Sequence, residues 1–283
     1  MTLLASPARW RRPSVIPGFG PALGFTLFYL TLIVLIPLAA LALRPWEHGV
    51  AGVWDTVSEP RVLAALKLSF GAALIASAVN SVMGVVVAWV LVRYQFPGRG
   101  LVDAAVDLPF ALPTAVAGIA LATVYGPHGW IGAPLAALGI KVVYTPVGVL
   151  IALIAVGLPF VVRTVQPILA EAEAELEDAA STLGATPWQW FSRVLLPALT
   201  PAVITGFSLA FARAVGEYGS VIFIAGNMPM RSEIAPLVIV TKLEQFDYAG
   251  AAAVGLAMLV LSFAALLIIN GVQLLLSRRG AAL

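Results

Sequence analysis

Cysteine is absent from the 283 residues, so this chain forms no disulfide, builds no thiolate metal cluster and offers no cysteine nucleophile. Histidine is nearly absent: His48 and His128 stand alone, too few for a multi-histidine metal site. Charge is scarce as well. Only 11% of residues are Asp, Glu, Lys or Arg, against about 25% in soluble domains. With 61% hydrophobic residues and a mean hydropathy of +1.00, an ordinary soluble domain is excluded. The net charge of +2 is scattered, which excludes a basic nucleic-acid surface. No phosphate loop, H-E-x-x-H zinc motif or G-x-S-x-G elbow occurs, so the chain has no catalytic or metal residues to nominate and is not expected to hydrolyse ATP.

What is present is apolar length. A helix crosses the hydrocarbon core with about 20 apolar residues. Leu23–Leu43, Leu68–Val92, Val142–Val162 and Tyr248–Leu276 contain no Asp, Glu, Lys, Arg or His. The run from Leu108 to Ile140 is too long for one helix, and Gly126-Pro127-His128-Gly129 with Pro134 divide it, leaving a span near 105–125 and a loop. A last span, Leu199–Ala225, is apolar except for Arg213 and Glu217, which are expected near mid-membrane. The expected fold is therefore all-α, a polytopic bundle of six transmembrane helices. The first segment follows Arg9, Arg11 and Arg12 like a signal peptide. Its apolar core exceeds the about 7–15 residues of a signal, so a retained helix is expected. An even number of spans puts both termini on one side. Placing them in the cytoplasm assigns Arg9, Arg11, Arg12, Arg93, Arg99, Arg163, Arg193, Arg278 and Arg279 inside, against Arg44, Arg61, Lys67, Lys141, Arg231 and Lys242 outside. Cationic loops are retained in the cytoplasm, which favours that orientation.

One cytoplasmic segment differs from the rest. Glu171, Glu173, Glu175, Glu177 and Asp178 alternate largely with alanine, so Ile168–Leu183 reads as a helix, with Gly184 suited to a left-handed cap. Thr186-Pro187-Trp188-Gln189 fits a capping box that starts a second helix, and Trp188, Trp190 and Arg193 suit an approach to the interface. A solvated connector is the plain alternative. Two capped helices around one glycine, with small Ala179 and Ala180 where a partner could approach, instead suggest a docking knob.

Asp178-Ala179-Ala180, three residues, Gly184, nine residues, Val194-Leu195-Leu196-Pro197 resembles the EAA loop of type I ATP-binding-cassette importer permeases. Aspartate stands for the usual glutamate, Val194 for isoleucine, and Glu177 lies one position away. The likeness narrows at Phe211–Gly219, Val221–Asn227, Asp107–Thr114 and Leu243–Tyr248, which look like sulfate and thiosulfate permeases of the CysT type. It covers roughly 63–276. The resemblance implies an N-terminal part over 1–62 with the first helix, a type I transmembrane domain over 63–276 with its coupling loop at about 166–198, and a cytoplasmic tail over 277–283. It also implies a location in the cell inner membrane. It assigns contact with a cytoplasmic ATPase to Glu177, Asp178, Ala179, Ala180, Gly184, Thr186, Trp188 and Trp190. The implied partners are a second, related permease subunit forming a heterodimer, two ATPase copies and a periplasmic sulfate- or thiosulfate-binding protein. The resemblance also implies that this chain binds no cofactor and that ATP and Mg are used by the ATPase.

Arg213 and Glu217 are four apart, and each isolated intramembrane charge costs about 2.5–3.5 kcal/mol on insertion scales. They either neutralise one another for structure, or Arg213 offers a cation to a passing oxyanion while Glu217 moderates its grip. Gly206, Gly216 and Gly219 allow close packing or a gate in the same span. Asp107 before Pro109 reads as a helix start rather than a kink, Asp103 and Asp107 as interfacial, and His128 as a loop residue. Molybdate or tungstate transport is the alternative within the family. An ATP-independent carrier has no need of the spaced loop, and an intramembrane enzyme lacks its nucleophile and base.

Overall fold

The computed structural model describes residues 19–171, 180 and 182–280. The chain divides into two units at Leu43/Arg44. In the first, α1 (Phe19–Leu30) and α2 (Ile36–Leu43) join through a π turn, Thr31–Leu35, and none of the three pieces buries a residue. A helix that is apolar all round and packs nothing of its own inward suits lipid or another membrane protein.

The second unit begins with a short helical turn and α3 (Gly49–Ser58), followed by α4 (Pro60–Arg93). Pro60 suits the first turn of α4, and the helix ends where Pro97 and Gly98, the latter at φ 85°, turn the chain. Next come α5 (Arg99–Val106), α6 (Leu108–Ala111), α7 (Thr114–Tyr125), α8 (Gly132–Ala137) and α9 (Pro146–Glu171). After the turn at Gly184, α10 (Pro187–Trp190) passes through a π turn, Phe191–Leu195, into α11 (Leu196–Val215). Then follow α12 (Val221–Ala225), α13 (Ala235–Glu244) and α14 (Tyr248–Gly280). No strand occurs among the described residues.

The packing inverts the soluble rule. Along α4 the buried stripe is mostly small or polar, from Ala65 and Ser69 through Ala73, Ala76 and Asn80 to Gly84 and Ala88, with Val62, Leu66 and Leu91 toward its two ends, while Leu74, Ile75, Val82, Met83 and Val86 face outward. Lipid is as apolar as leucine, so burial alone does not join helices; close backbone approach and dispersion do. Accordingly α9 is gripped from both sides. A Cβ on Gly84 of α4 would come within 2.7 Å of Val161 Cγ1, and one on Gly206 of α11 within 2.9 Å of Val161 Cα.

Among the described residues, five helical stretches are long and apolar enough to cross a membrane: Phe19–Glu47, Pro60–Arg93, Pro146–Glu171, Pro187–Val215 and Tyr248–Leu274. Two expectations are corrected. The single span near 105–125 is three pieces, because Asp107 and Pro113 each interrupt it. Its apolar part, α7, has 12 residues or about 18 Å, short of the roughly 30 Å core. The proposed helix start at Asp107–Pro109 is present as α6, and Pro113 starts another. The span expected over Leu199–Ala225 is helical only to Val215. Gly216 ends it, a turn follows, and α12 resumes at Val221. Arg213 therefore lies in the last turn of α11, and Glu217 lies beyond the helix.

Candidate docking and pathway sites

Ala180 and Thr182 are helical and Gly184 has φ 76°, the left-handed conformation that ends a helix most cheaply at glycine. The Ala185 amide donates to the Ala180 carbonyl at 3.0 Å, the long-range bond of a glycine-terminated helix. The next helix opens at once. Thr186 Oγ1 accepts from the Gln189 amide at 3.3 Å, Gln189 Oε1 accepts from the Thr186 amide at 2.8 Å, and Pro187 sits at the first position. The helix–glycine–helix knob expected from the sequence is thus present in its described part. Glu177, Asp178 and Ala179 lie outside the described residues. Two details differ from expectation. Residues 168–171 continue α9 without a break, and the second helix runs on through α11 as one 29-residue stretch.

The knob has an outward and an inward side. Leu183 is 87% exposed and Trp188 72% exposed, with Trp188 stacked on Phe191 at 5.8 Å. Trp190 points the other way and is buried. Its ring lies 5.9 Å from that of Trp89, and the Arg93 guanidinium stands 5.4 Å from both indoles. Such contacts contribute about 0.5–2 kcal/mol each, so Trp190 anchors the knob to the end of α4 rather than offering a free face. Its indole N–H has no hydrogen-bond partner among the described residues.

Beside this anchor lies a charge cluster that the sequence reading left as two interfacial aspartates. Arg163 of α9 donates through Nε to Asp107 Oδ1 at 2.8 Å, and through Nη1 to Asp103 Oδ1 at 2.7 Å and Gln166 Oε1 at 2.6 Å. Its Nη2 donates to the Asp103 carbonyl at 2.9 Å and also reaches the second Asp107 oxygen. Gln166 Nε2 completes the cluster by donating to Asp103 Oδ1 at 3.1 Å. The Gln166 amide and the Arg163 guanidinium hold the Asp103 carboxyl below the ordinary carboxylate range. The only sequence signal was an arginine one residue past an uncharged run and two aspartates four apart.

At the break after α11, Glu217 is 1% exposed. Its carboxylate accepts from the Ser220 amide and hydroxyl, both at 2.9 Å, and pairs with Arg213 Nη1. Glu217 thereby serves the buried Ser220 amide just before α12, a task that its sequence position alone does not reveal. Arg213 is 35% exposed on the side chain, so it is half-buried while its Nη1 is paired with the Glu217 carboxylate. Gly219 lies against Thr114, a Cβ there falling 2.9 Å from Thr114 Cβ, whereas Gly216 is open. Close packing therefore explains Gly206 and Gly219 but not Gly216. At the opposite end from the knob, Arg61 grips buried Glu233 with both carboxylate oxygens, at 2.8 and 2.6 Å. Midway, buried Asn80 donates to the Ile154 carbonyl at 3.1 Å beside Gly157. Neither was singled out in the sequence, since an asparagine does not interrupt an uncharged run. His128 lies in the Gly126–Gly129 turn as expected.

Comparison with known proteins agrees with this architecture. Residues 80–280 match the family described as binding-protein-dependent transport system inner membrane component. The chain is 50% identical over 252 residues to the probable sulfate transport system permease protein cysT of Nephroselmis olivacea, covering 89% of each. It is 47% identical over 265 residues to the sulfate transport system permease protein CysT of Escherichia coli K12, covering 94% of this chain and 96% of that one. A chain of a bacterial alginate ABC transporter, crystallised with an alginate pentasaccharide-bound periplasmic protein, superposes with a TM-score of 0.73 at 18% identity, covering 89% of this chain and 92% of that one. That likeness concerns the fold alone. Spaced docking loop, helix architecture and sequence identity coincide: the chain belongs to the binding-protein-dependent transport system inner membrane components, the type I ABC importer permeases, among their CysT-type members.

Proposed function

We propose that this chain is the permease subunit of an ABC importer that moves sulfate or thiosulfate across the cytoplasmic membrane. The observation that carries the transport reading is the knob: a helix closed by Gly184 at φ 76° and reopened by the Thr186–Gln189 box, with Leu183 and Trp188 outward and Trp190 anchored inward. The anion is supported by near-50% identity to sulfate permeases over most of the chain. A separate ATPase, using ATP and Mg, docks on the knob through Glu177, Asp178, Ala179, Ala180, Gly184, Thr186 and Trp188, while Trp190 braces it from within. A related second permease subunit completes the pathway, a periplasmic binding protein delivers the anion, and both termini face the cytoplasm. The protein itself is not an enzyme.

Docking does work only because the knob is bound differently in two states of the bundle. Arg213 lies beside the pathway and meets the oxyanion with a guanidinium already half-neutralised by Glu217. A fully free cation would hold a dianion too firmly for release.

Labelled-sulfate uptake tests this in a strain lacking the chain, complemented with the wild type or with Gly184→Pro. Proline's φ near −65° is incompatible with +76°, so the knob loses its turn. Rescue by the wild type alone, with Gly184→Pro in the membrane but not retaining the ATPase on purification, is the expected result. Equal rescue by both removes the docking role. Rescue by neither despite normal assembly, with molybdate uptake restored instead, removes the anion assignment.

A further inference from the structure

Two mechanical lines leave the knob and meet again at the break after Val215. The first is the continuous helical stretch Pro187–Val215, which ends with Arg213 in its last turn. The second runs through other elements. Trp190, Leu169, Val165 and Val106 share one buried cluster that joins the knob to α9 and α5. Arg163 of α9 then grips Asp103 and Asp107 on the two sides of Val106. Phe110 of α6 meets Phe160 of α9 edge-on at 5.0 Å. Two residues beyond Leu112, α7 begins and reaches the break directly. Thr114 lies against Gly219, and Gly118 leaves so little space that a Cβ would stand 2.8 Å from Ser220 Cα. Ser220 in turn holds Glu217 by two hydrogen bonds.

The Arg213–Glu217 pair therefore spans a joint. Its cation moves with α11 and its anion is held by the turn that α7 braces. We propose that Arg163, by fixing α5 and α6 on α9, is the positioning residue that sets α7 and the Glu217–Ser220 turn relative to Arg213, and so decides whether that cation is neutralised or presented to an anion. This rests on the ABC-permease reading, because it needs a nucleotide-driven displacement of the knob. In such a joint a displacement is transmitted because packed segments shift as units instead of deforming continuously. The guanidinium donates five hydrogen bonds, two to the Asp107 carboxylate, one each to the Asp103 carboxylate and carbonyl, and one to Gln166 Oε1, which a lysine cannot reproduce.

The test reads charge at the joint. Ala212 is exposed and next to Arg213, and the chain has no cysteine, so Ala212→Cys gives a single reporter within this subunit, and modification is read on this subunit alone after separation from its partners. In the purified complex with its ATPase and partner permease, the rates of modification by an anionic and a cationic methanethiosulfonate are measured without nucleotide and after trapping with ATP and vanadate. An unneutralised charge within a helical turn shifts the anionic-to-cationic rate ratio by about tenfold. The expected result is a ratio that changes about tenfold on trapping, a change lost when Arg163→Gln or the gentler Asp107→Asn is added while the ATPase still co-purifies. Arg213→Gln should abolish the change as well. An equal change in the Arg163→Gln and Asp107→Asn complexes overturns the inference and leaves the transport reading intact. A reporter that ignores nucleotide in an unaltered complex that still hydrolyses ATP overturns the inference alone, whereas an unaltered chain that retains no ATPase on purification removes the coupling reading on which it rests. Loss of the ATPase from both variants assigns the cluster to docking instead and overturns the positioning role.

Discussion

Glu217 shows how a side chain can be both structural and electrostatic. Burying a carboxylate costs several kcal/mol unless it is paired and hydrogen-bonded, and here one oxygen serves the Ser220 amide and hydroxyl while the other meets Arg213. Glu217→Ala strips Arg213 of its counter-charge and leaves the Ser220 amide without an acceptor. We expect a loss of about 3–5 kcal/mol, seen as failure of the subunit to accumulate in the membrane. Glu217→Gln keeps an acceptor for Ser220 and should accumulate, with the change confined to transport; equal depletion of both variants in membrane fractions would contradict this division. Asp103 gives a pH expectation. Its folded-state carboxyl titrates below its ordinary range, so its pairing contributes stability that is present above the unfolded value of 3.8 and lost as pH falls through the lowered one. Thermal denaturation of the purified complex should show no inflection from Asp103 between pH 5 and 8, and Asp103→Asn should leave the profile unchanged there.

At the scale of elements, close approach decides more than size. Gly118 faces backbone rather than a side-chain tip that could swing aside, so Gly118→Ala must push the Ser220 turn away from α7. Overpacking of this kind costs about 1–3 kcal/mol. The expected outcome is reduced sulfate uptake at retained membrane level, and wild-type uptake would mean that the turn yields freely. The cap at Thr186 makes a milder prediction. Thr186→Ala removes the acceptor for the Gln189 amide, worth about 1 kcal/mol, and should weaken ATPase retention partially where Gly184→Pro abolishes it. The elements also mark where periodicity misleads. Hydropathy treats Leu199–Ala225 as one span because the apolar residues on both sides outweigh Gly216 and Tyr218 in an average, whereas helix continuation depends on whether the next turn finds its acceptors. There the Glu217 carboxylate has taken over the Ser220 amide.

For the whole molecule, charge is sorted by end. Arg93, Arg163 and the knob share one end of the second unit, whereas the Arg61–Glu233 and Lys242–Glu59 pairs share the other. The proposed orientation, with both termini in the cytoplasm, turns the knob toward the proposed ATPase. Single cysteines at exposed Leu183 and exposed Phe246 test this cleanly in a cysteine-free chain. An impermeant maleimide added to intact cells should label Phe246→Cys and spare Leu183→Cys, and the reverse pattern would invert the topology. The sequence by itself determined that the chain is a helical membrane protein, where four of its spans run, and that a capped helix–glycine–helix knob interrupts them. Those properties depend on local composition, on proline and glycine dihedrals and on side-chain oxygens within three residues of the amides they cap. Only the tertiary structure decided that Trp190 turns inward, that Arg163 joins α9 to Asp103 and Asp107, and that α7 braces the Glu217 turn. Each of these brings together residues tens of positions apart, and their partners are chosen by backbone approach and charge neutralisation in a medium without water, which no local pattern records.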